Sequence, residues 1–273
     1  MTLNCNGKLV DISSPKVMGI LNCTPDSFFD GGKYNNESDI LQQVEKMLLE
    51  GATFIDVGAY SSRPGATHIS EEEELQRIVP VIELLVKNFP EIIISVDTFR
   101  SNVAKETVEV GAAIINDISG GKMDSNMFKT VAELKVPYIM MHMLGTPQNM
   151  QKNPVYQDVT KELISFFAAQ ISKLHQLKVN DIIIDVGFGF GKTIEHNYQL
   201  LKDLALFKNL DAPILAGISR KSMLYKPLEI TPQLALNATT SANTIALLNG
   251  ANILRVHDVK EAMEAIKIVE QLN

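Results

Sequence analysis

Short apolar stretches recur along the chain, and each of them ends in polar residues that begin a loop. Isoleucine, valine and leucine fill these stretches almost without interruption, which is typical of strands buried on both faces of a parallel sheet. The pattern predicts strands over 16–22, 52–58, 91–97, 112–117, 136–142, 181–187, 212–219 and 251–257.

The segments between these strands space their apolar residues as amphipathic helices do. Residues 71–86 show the pattern clearly, and Ser70 followed by Glu73 is the signature of a capping box at the helix start. Helices are predicted over 38–50, 71–86, 101–110, 125–134, 157–177, 195–207, 233–249 and 259–271.

Regular alternation of strands and helices predicts an α/β protein, a (β/α)8 TIM barrel formed as a single domain by residues 1–273. An open doubly wound sheet is the rival fold, but it rarely needs so many regular repeats. Asn6-Gly7 near the start predicts a β-hairpin, which we expect to close the amino-terminal end (the bottom) of the barrel. Cys5 and Cys23 would then lie at opposite ends, too far apart for a disulfide.

Composition narrows the possible functions. The chain is 45% apolar, so it can form a large core, and its net charge of −7 argues against a nucleic-acid partner. We find no apolar run near the ~18 residues that a membrane span needs, and no signal-peptide pattern at the start. We therefore expect a cytoplasmic protein without a membrane partner.

Polar side chains occupy the carboxyl ends of the predicted strands, which all point to one face of a parallel barrel. Any one of them could be polar only because a loop begins there. The whole set is harder to explain in this way, because a buried carboxylate costs free energy unless it is paired. The set comprises Asn22, Asp56, Asp97, Asn116, Asp117, His142, Asp185, Ser219, Arg255 and His257.

The loops at the same face add positive charge. Arg63 lies in the loop 56–67, and Arg220 with Lys221 follows the seventh strand, so the mouth of an acidic protein is suited to phosphate oxygens. The glycine-rich stretch 185–193 is not a phosphate-binding P-loop, because Val186 stands where that motif needs glycine. We expect its glycines to let the backbone or Phe190 approach a ligand.

With these features the chain resembles the dihydropteroate synthase family from about residue 16 to residue 270. The motifs that carry the resemblance are LNCTPDSFFDGG, SSRPGA, SVDTFR, INDISGG, MHMLGTPQNMQ, DVGFGFGK, SRK and RVHDV, in the family's order and spacing. The resemblance implies a transferase of folate biosynthesis on a (β/α)8 barrel. Enzymes of this family join (7,8-dihydropterin-6-yl)methyl diphosphate to 4-aminobenzoate and release diphosphate. It also implies a homodimer formed by helices far from the barrel mouth, and inhibition by sulfonamides.

The resemblance further implies a role for each matching residue. Asn22 corresponds to a magnesium ligand, so Mg²⁺ is the expected cofactor. The pterin set is Asp97, Asn116, Asp185 and Lys221, and the diphosphate set is Ser62, Arg255 and His257. The 4-aminobenzoate set is Phe28, Arg63, Pro64, Phe190 and Ser219, and Lys221 also borders this pocket. The catalytic residues are Lys221, Arg255 and Asp30, the last a loop carboxylate that faces a developing cation.

The chain departs from the family pattern at a few positions. Val186 replaces a usual proline, Ala59 a usual glycine and Ser62 a frequent threonine, whose hydroxyl the serine keeps. None of these changes removes a reacting group.

We expect a dissociative, SN1-like reaction. Two alternatives stay open: a methyltransferase-type pterin barrel, which would not need the SSRPG and SRK residues, and a catalytically silent pterin-binding paralogue.

Overall fold

A computed structural model describes residues 1–23, 36–61 and 68–272 of the chain, with the backbone alone at position 36. Its strands are β1 (Thr2–Cys5), β2 (Lys8–Asp11), β3 (Lys16–Asn22), β4 (Phe54–Gly58), β5 (Ile94–Asp97), β6 (Ile114–Asp117), β7 (Tyr138–Met141), β8 (Ile182–Asp185), β9 (Ile214–Ala216) and β10 (Ile253–Val256). Its α-helices are α1 (Asn36–Leu49), α2 (Glu71–Asn88), α3 (Ser101–Glu109), α4 (Met127–Leu134), α5 (Val159–Gln176), α6 (Ile194–Lys202), α7 (Ser222–Tyr225), α8 (Leu236–Leu248) and α9 (Val259–Glu270).

The strands β3 to β10 form a closed parallel barrel. Each strand pairs with the next along the chain, and β10 pairs with both β9 and β3, so the barrel has no open edge. The strand pattern therefore correctly predicted a TIM barrel, and the open doubly wound sheet is wrong. Every predicted strand range contains an observed strand.

The amino-terminal hairpin closes the bottom of the barrel, as predicted. Strands β1 and β2 pair antiparallel across Asn6 and Gly7, which both have positive φ. Buried hairpin residues such as Leu3 pack in one cluster with Phe54 and Ile114, the first residues of their barrel strands. Cys5 belongs to this bottom cluster, whereas Cys23 follows the carboxyl end of β3; both thiols are free and buried.

Alternation along the strands places apolar side chains low in the barrel and polar ones at its mouth. On β4, Phe54 lies in the bottom cluster and Asp56 follows two residues later, while Ile55 packs outward against the helices. On β8, Ile183 and Asp185 repeat this order. Because successive side chains of a strand point to opposite faces, this period of two gives the barrel a dry base and a polar mouth.

Two local predictions need correction. Ser70 Oγ accepts a hydrogen bond from the Glu73 backbone N–H at 3.1 Å, but the Glu73 carboxylate pairs with Arg77, so we find a simple N-cap where a capping box was predicted. The predicted helix 195–207 ends at Lys202 and is followed by a 3-10 helix (Leu204–Leu210). Asp203 at the break accepts a hydrogen bond from the Thr160 hydroxyl at 2.9 Å.

Helix α7, directly after Lys221, was not predicted from the sequence; its single turn is too short to show an apolar period. Among the described residues, none of the helices is long and apolar enough to span a membrane.

Candidate active site

The predicted site residues that the structure describes all lie at the carboxyl-terminal mouth of the barrel. They are among the last two residues of a barrel strand or follow it within a few residues: Asn22, Asp97, Asn116, Asp185, Phe190, Ser219, Lys221, Arg255 and His257. The other predicted site residues, Phe28, Asp30, Ser62, Arg63 and Pro64, lie outside the described residues.

Arg255 of β10 is the centre of the polar mouth. Its Nε donates to Asp56 Oδ2 at 2.6 Å, and its Nη2 donates to Asp97 Oδ2 at 2.9 Å. Asn116 Nδ2 donates to the same Asp56 oxygen at 3.1 Å. The guanidinium therefore links side chains from strands β4 and β5, and Asp56 extends the network to Asn116 of β6. Sequence analysis gave Asp56 no role, although its place at a strand end was the signal that could have found it.

Burial and mutual charge set the protonation of this cluster. Burial raises the pKa of Asp97 to about 7, although Arg255 opposes the rise. Burial alone would lower the pKa of Arg255, but Asp56 and Asp97 together outweigh it and hold that pKa above its usual value. The guanidinium is thus permanently charged, whereas Asp97 titrates in the physiological range.

Lys221 approaches the same mouth from the loop after β9. Its Nζ lies 4.7 Å from the centroid of the Phe190 ring and donates to the Phe188 carbonyl. Burial lowers the pKa of Lys221 to about 8, and Asp185 opposes this shift. Burial likewise raises the pKa of Asp185, against the pull of Lys221. Lys221 and Asp185 therefore interact electrostatically across the mouth, and each favours the charged form of the other.

The turn after β8 needs glycine to place Asp185. Gly187 has a φ of +69°, and its N–H donates to Asp185 Oδ1 at 2.7 Å. A Cβ at this position would lie 2.1 Å from the His142 carbonyl oxygen. Any side chain here would displace the backbone that holds Asp185.

Two pairs of side chains connect the loops after β9 and β10. Ser219 Oγ lies 3.0 Å from His257 Nδ1, and the His257 N–H donates to the same hydroxyl at 3.3 Å. The neighbouring Arg220 donates to both carboxylate oxygens of Asp258, at 2.9 and 2.8 Å. Ser219 and His257 are therefore held side by side at the mouth.

Lys192 is a supporting residue that sequence analysis missed. Its buried Nζ contacts His142 Nδ1 at 3.2 Å, the His142 carbonyl at 3.2 Å and the Phe190 carbonyl at 3.0 Å. Burial lowers the pKa of Lys192 to about 7 and that of His142 to about 2, so His142 is neutral and its ring nitrogen can accept from Lys192 Nζ. Lys192 thus ties the end of β7 to the loop of Phe190. The glycine-rich motif drew attention to this loop, but its comparison with a P-loop left the lysine without a role.

Comparisons with known proteins match this arrangement. The family model described as pterin binding enzyme covers residues 18–257. Dihydropteroate synthase of Escherichia coli K12 is 45% identical over 272 residues, which span 99% of this chain and 96% of that protein. The crystal structure of Yersinia pestis dihydropteroate synthase with a sulfonamide drug superimposes with a TM-score of 0.93 at 44% identity, covering 100% of this chain and 99% of that one. The Xanthomonas albilineans enzyme in complex with 7,8-dihydropteroate gives a TM-score of 0.89 at 34% identity, covering 100% and 98% of the two chains.

The barrel and its mouth therefore define a pterin-binding enzyme. Within that class, the chain belongs to the dihydropteroate synthase family, the transferases of folate biosynthesis.

Proposed function

We propose that the chain condenses (7,8-dihydropterin-6-yl)methyl diphosphate with 4-aminobenzoate to give 7,8-dihydropteroate and diphosphate. The observation that carries the proposal is the cluster at the barrel mouth, where Arg255 joins Asp56 and Asp97 close to Asn116. The cluster offers carboxylate acceptors for a nitrogen heterocycle beside a fixed cation for its anionic tail. The relatives named for this activity support the assignment.

We assign the pterin ring to the deeper part of the mouth. Asp97 and Asp185 would accept from N–H groups of the heterocycle, while Asn116 and Lys221 would complete the hydrogen bonds along its edge. Asn116 and Asp185 are nearly fully buried. In such a site, a ligand lacking the matching N–H groups leaves buried acceptors unpaired and is rejected.

The diphosphate is assigned to Arg255 and His257, with Ser62 as the further contact that the family resemblance implies. Arg255 is fixed by two carboxylates before the ligand arrives, so little reorganisation is needed as negative charge grows on the leaving group.

The 4-aminobenzoate is assigned to the outer part of the mouth, against Phe190 and Ser219. Lys221 above the Phe190 ring borders both substrates. The resemblance adds Phe28, Arg63 and Pro64 to this pocket. A Yersinia pestis relative has been crystallised with a sulfonamide drug, and we propose that sulfonamides inhibit this chain in the same pocket.

The proposed reaction is dissociative. The bond between the methylene carbon and the diphosphate oxygen breaks first, and its electron pair leaves with the diphosphate. The resulting cation is delocalised over the electron-rich pterin. The amino nitrogen of 4-aminobenzoate then donates its lone pair to the methylene carbon, and its extra proton passes to the released diphosphate or to water. Arg255 and His257 stabilise the leaving charge, and Asp30 is proposed to face the cation.

We also propose Mg²⁺ as the cofactor, held by Asn22. This residue is half-buried at the carboxyl end of β3, and an amide oxygen is a ligand type that Mg²⁺ accepts. Within the described part of the chain, no cluster of three or more His, Cys, Asp or Glu side chains could hold a metal. A single amide ligand such as Asn22 suits Mg²⁺, which commonly takes one or two protein ligands and completes its shell with water and substrate phosphates. When bound, the ion would neutralise charge on the diphosphate.

The function is tested by incubating the protein with Mg²⁺, the pterin diphosphate and 4-aminobenzoate, and measuring diphosphate and dihydropteroate. We expect equimolar release of both products and loss of activity when the metal is chelated. Absence of dihydropteroate while the pterin still binds would favour the silent paralogue. Transfer of a methyl group from a methylated folate would favour the methyltransferase-type barrel.

A substitution of Lys192 tests the support of the Phe190 loop. Lys192→Met keeps the apolar volume but removes the donor to the two carbonyls, so we expect the KM for 4-aminobenzoate to rise about tenfold. Lys122→Met is the control and should leave this KM unchanged, because the Lys122 ammonium packs on the Phe166 ring and bonds neither of these carbonyls. Equal KM values for wild type and Lys192→Met would show that the loop does not depend on this lysine.

The pH dependence of kcat/KM for the pterin diphosphate follows from two pKa values. Asp97 must lose its proton to accept from the heterocycle, so activity should rise with pH through about 7. Lys221 must keep its proton to donate, so activity should fall above about 8. The positive charge of Arg255 lowers the pKa of Asp97. Since lysine keeps a positive charge at this position, Arg255→Lys should move the acid limb of the profile only slightly. A profile that stays flat from pH 6 to pH 9 would contradict both assignments.

We further propose a homodimer and a cytoplasmic location. Helices α8 and α9 pack together and expose Ile245, Leu248 and Ile268, which are 45%, 54% and 67% accessible. Such apolar side chains on adjacent helices are typical of an interface. The double variant Ile245→Glu/Leu248→Glu should be monomeric in sedimentation velocity, whereas Leu49→Glu on α1 should stay dimeric. A monomeric wild type would refute the proposed homodimer.

The proposed cytoplasmic location is supported by the two free, buried thiols, which are consistent with a reducing compartment.

A further inference from the structure

We propose that Asp56 is a positioning residue of the pterin site, which sets the orientation of the Asn116 amide and holds the Arg255 guanidinium in place. The inference rests on the proposed function for the identity of the ligand. It deepens that function, because it assigns substrate recognition to a buried carboxylate that no family motif brought into the predicted site.

The first step concerns Asn116. Asp56 is fully buried, and its Oδ2 accepts from Asn116 Nδ2 at 3.1 Å and from Arg255 Nε at 2.6 Å. An ionised carboxylate can only accept hydrogen bonds, so the amide must turn its NH₂ group towards Asp56. The Asn116 carbonyl oxygen is then left to accept from a ligand. Without the carboxylate, the amide is free to turn over and present donors in its place.

The second step concerns Arg255. Its Nη2 bonds Asp97, which is 18% exposed and which we assign to the pterin, and its Nε bonds the fully buried Asp56. A heterocycle N–H that reaches Asp97 competes with Nη2 for the same carboxylate. The bond from Nε to Asp56 does not face that competition, so it keeps the guanidinium beside the ligand when the pterin binds.

The third step concerns the free energy that a buried carboxylate at position 56 costs the fold. Among the described residues, Asp56 Oδ1 and Ser95 Oγ have no hydrogen-bond partner from the protein although both are buried. Their Cα atoms are direct partners in the β4–β5 register, so the two lie at the same level of the barrel. Unpaired buried polar atoms destabilise a fold, and an apolar residue such as Phe54 one layer below would pack here without that cost. A role in stability alone therefore does not account for Asp56.

The variant Asp56→Asn tests the proposal. In the wild type one charged oxygen, Asp56 Oδ2, accepts from both donors. An amide at position 56 carries no charge and can turn its own NH₂ group towards Asn116, so Asn116 loses its fixed orientation. We expect the KM for the pterin diphosphate to rise at least tenfold, with the KM for 4-aminobenzoate within about twofold of wild type. The matched control is Ile55→Val on the outward face of the same strand, which alters packing but no hydrogen bond and should leave both KM values unchanged.

The double variant Asp56→Asn/Asn116→Asp separates positioning from a structural role. An amide at position 56 can donate to a carboxylate at position 116. Because one Asp56 oxygen serves both partners in the wild type, the amide turns so that its NH₂ group faces position 116 and its oxygen faces the Arg255 guanidinium. The carboxylate then presents an acceptor to the ligand, as Asn116 does in the wild type. We expect the double variant to recover a KM for the pterin diphosphate within about threefold of wild type.

Each outcome decides the matter. A raised KM in Asp56→Asn with recovery in the double variant supports the proposal. A folded Asp56→Asn with the wild-type KM overturns it, as does a double variant that stays at least tenfold impaired. If only the double variant folds, its KM gives the answer by the same criterion. An inactive wild type would instead refute the proposed function, so the two failures are distinguishable.

Discussion

Replacing Arg255 by methionine is expected to lower kcat/KM by about 1,000-fold and to destabilise the fold at the same time. The guanidinium bonds two buried or half-buried carboxylates, Asp56 and Asp97, and neither has another cation within hydrogen-bond reach among the described residues. Breaking such a pair by removing one partner leaves buried negative charge, which we expect to cost about 3 kcal/mol in the free energy of unfolding.

The loss of activity has a separate cause, which is the loss of a fixed positive charge beside the departing diphosphate. The two effects are separated by measuring kinetics well below the melting temperature of the variant. Arg255→Lys keeps the charge but loses one of the two directed bonds, so its kcat/KM should lie between those of Arg255→Met and the wild type. Arg77→Met removes an arginine paired with Glu73 on helix α2 and should leave kcat/KM unchanged. Full activity in a folded Arg255→Met would show that this arginine does not stabilise the leaving group.

Replacing Lys221 by alanine is expected to lower kcat/KM at least about 100-fold while the stability hardly changes. Lys221 borders both proposed substrates, between Asp185 and the ring of Phe190. Burial lowers its folded pKa to about 8, below the value in an unfolded chain. The unfolded state therefore binds more protons at neutral pH, and the charged lysine opposes folding there. Removing the lysine relieves this cost but also removes its attraction to the buried Asp185, and we expect the two effects to offset each other.

The combination of low activity and an unchanged melting temperature is the expected mark of a residue kept for function. Lys226→Ala, an exposed lysine just beyond α7, is the matched control and should behave as wild type in both measurements. A kcat/KM for Lys221→Ala close to that of the wild type would contradict the site assignment. A fall in melting temperature as large as that of Arg255→Met would contradict the pKa argument.

The barrel could be predicted from the sequence because its determinants are local and repeated. Each strand is a short apolar run, and the Asn6-Gly7 turn defines the hairpin without information from distant residues. The polar residues of the mouth were also predictable, since parallel strands bring their carboxyl ends to one face. Asp97, Asn116 and Asp185 were found in this way, and their roles came from the family resemblance.

Pairings within the mouth could not be predicted, because they depend on side chains far apart along the chain. Asp56 and Arg255 are separated by 199 positions, and no spacing rule indicates that one bonds the other. Lys192 was missed for a similar reason, since its acceptors at His142 lie 50 positions away. The helix start at Ser70 shows the same limit on a small scale: the partner of Glu73 is Arg77, which competes with the cap.

A crystal structure of the protein with the bound pterin diphosphate tests the central claim most directly. The account predicts that the heterocycle contacts Asp97, Asn116, Asp185 and Lys221, with the Asn116 carbonyl oxygen towards the ligand and the diphosphate beside Arg255 and His257. A pterin bound elsewhere on the molecule, or seated at the mouth without contact to these side chains, would contradict it.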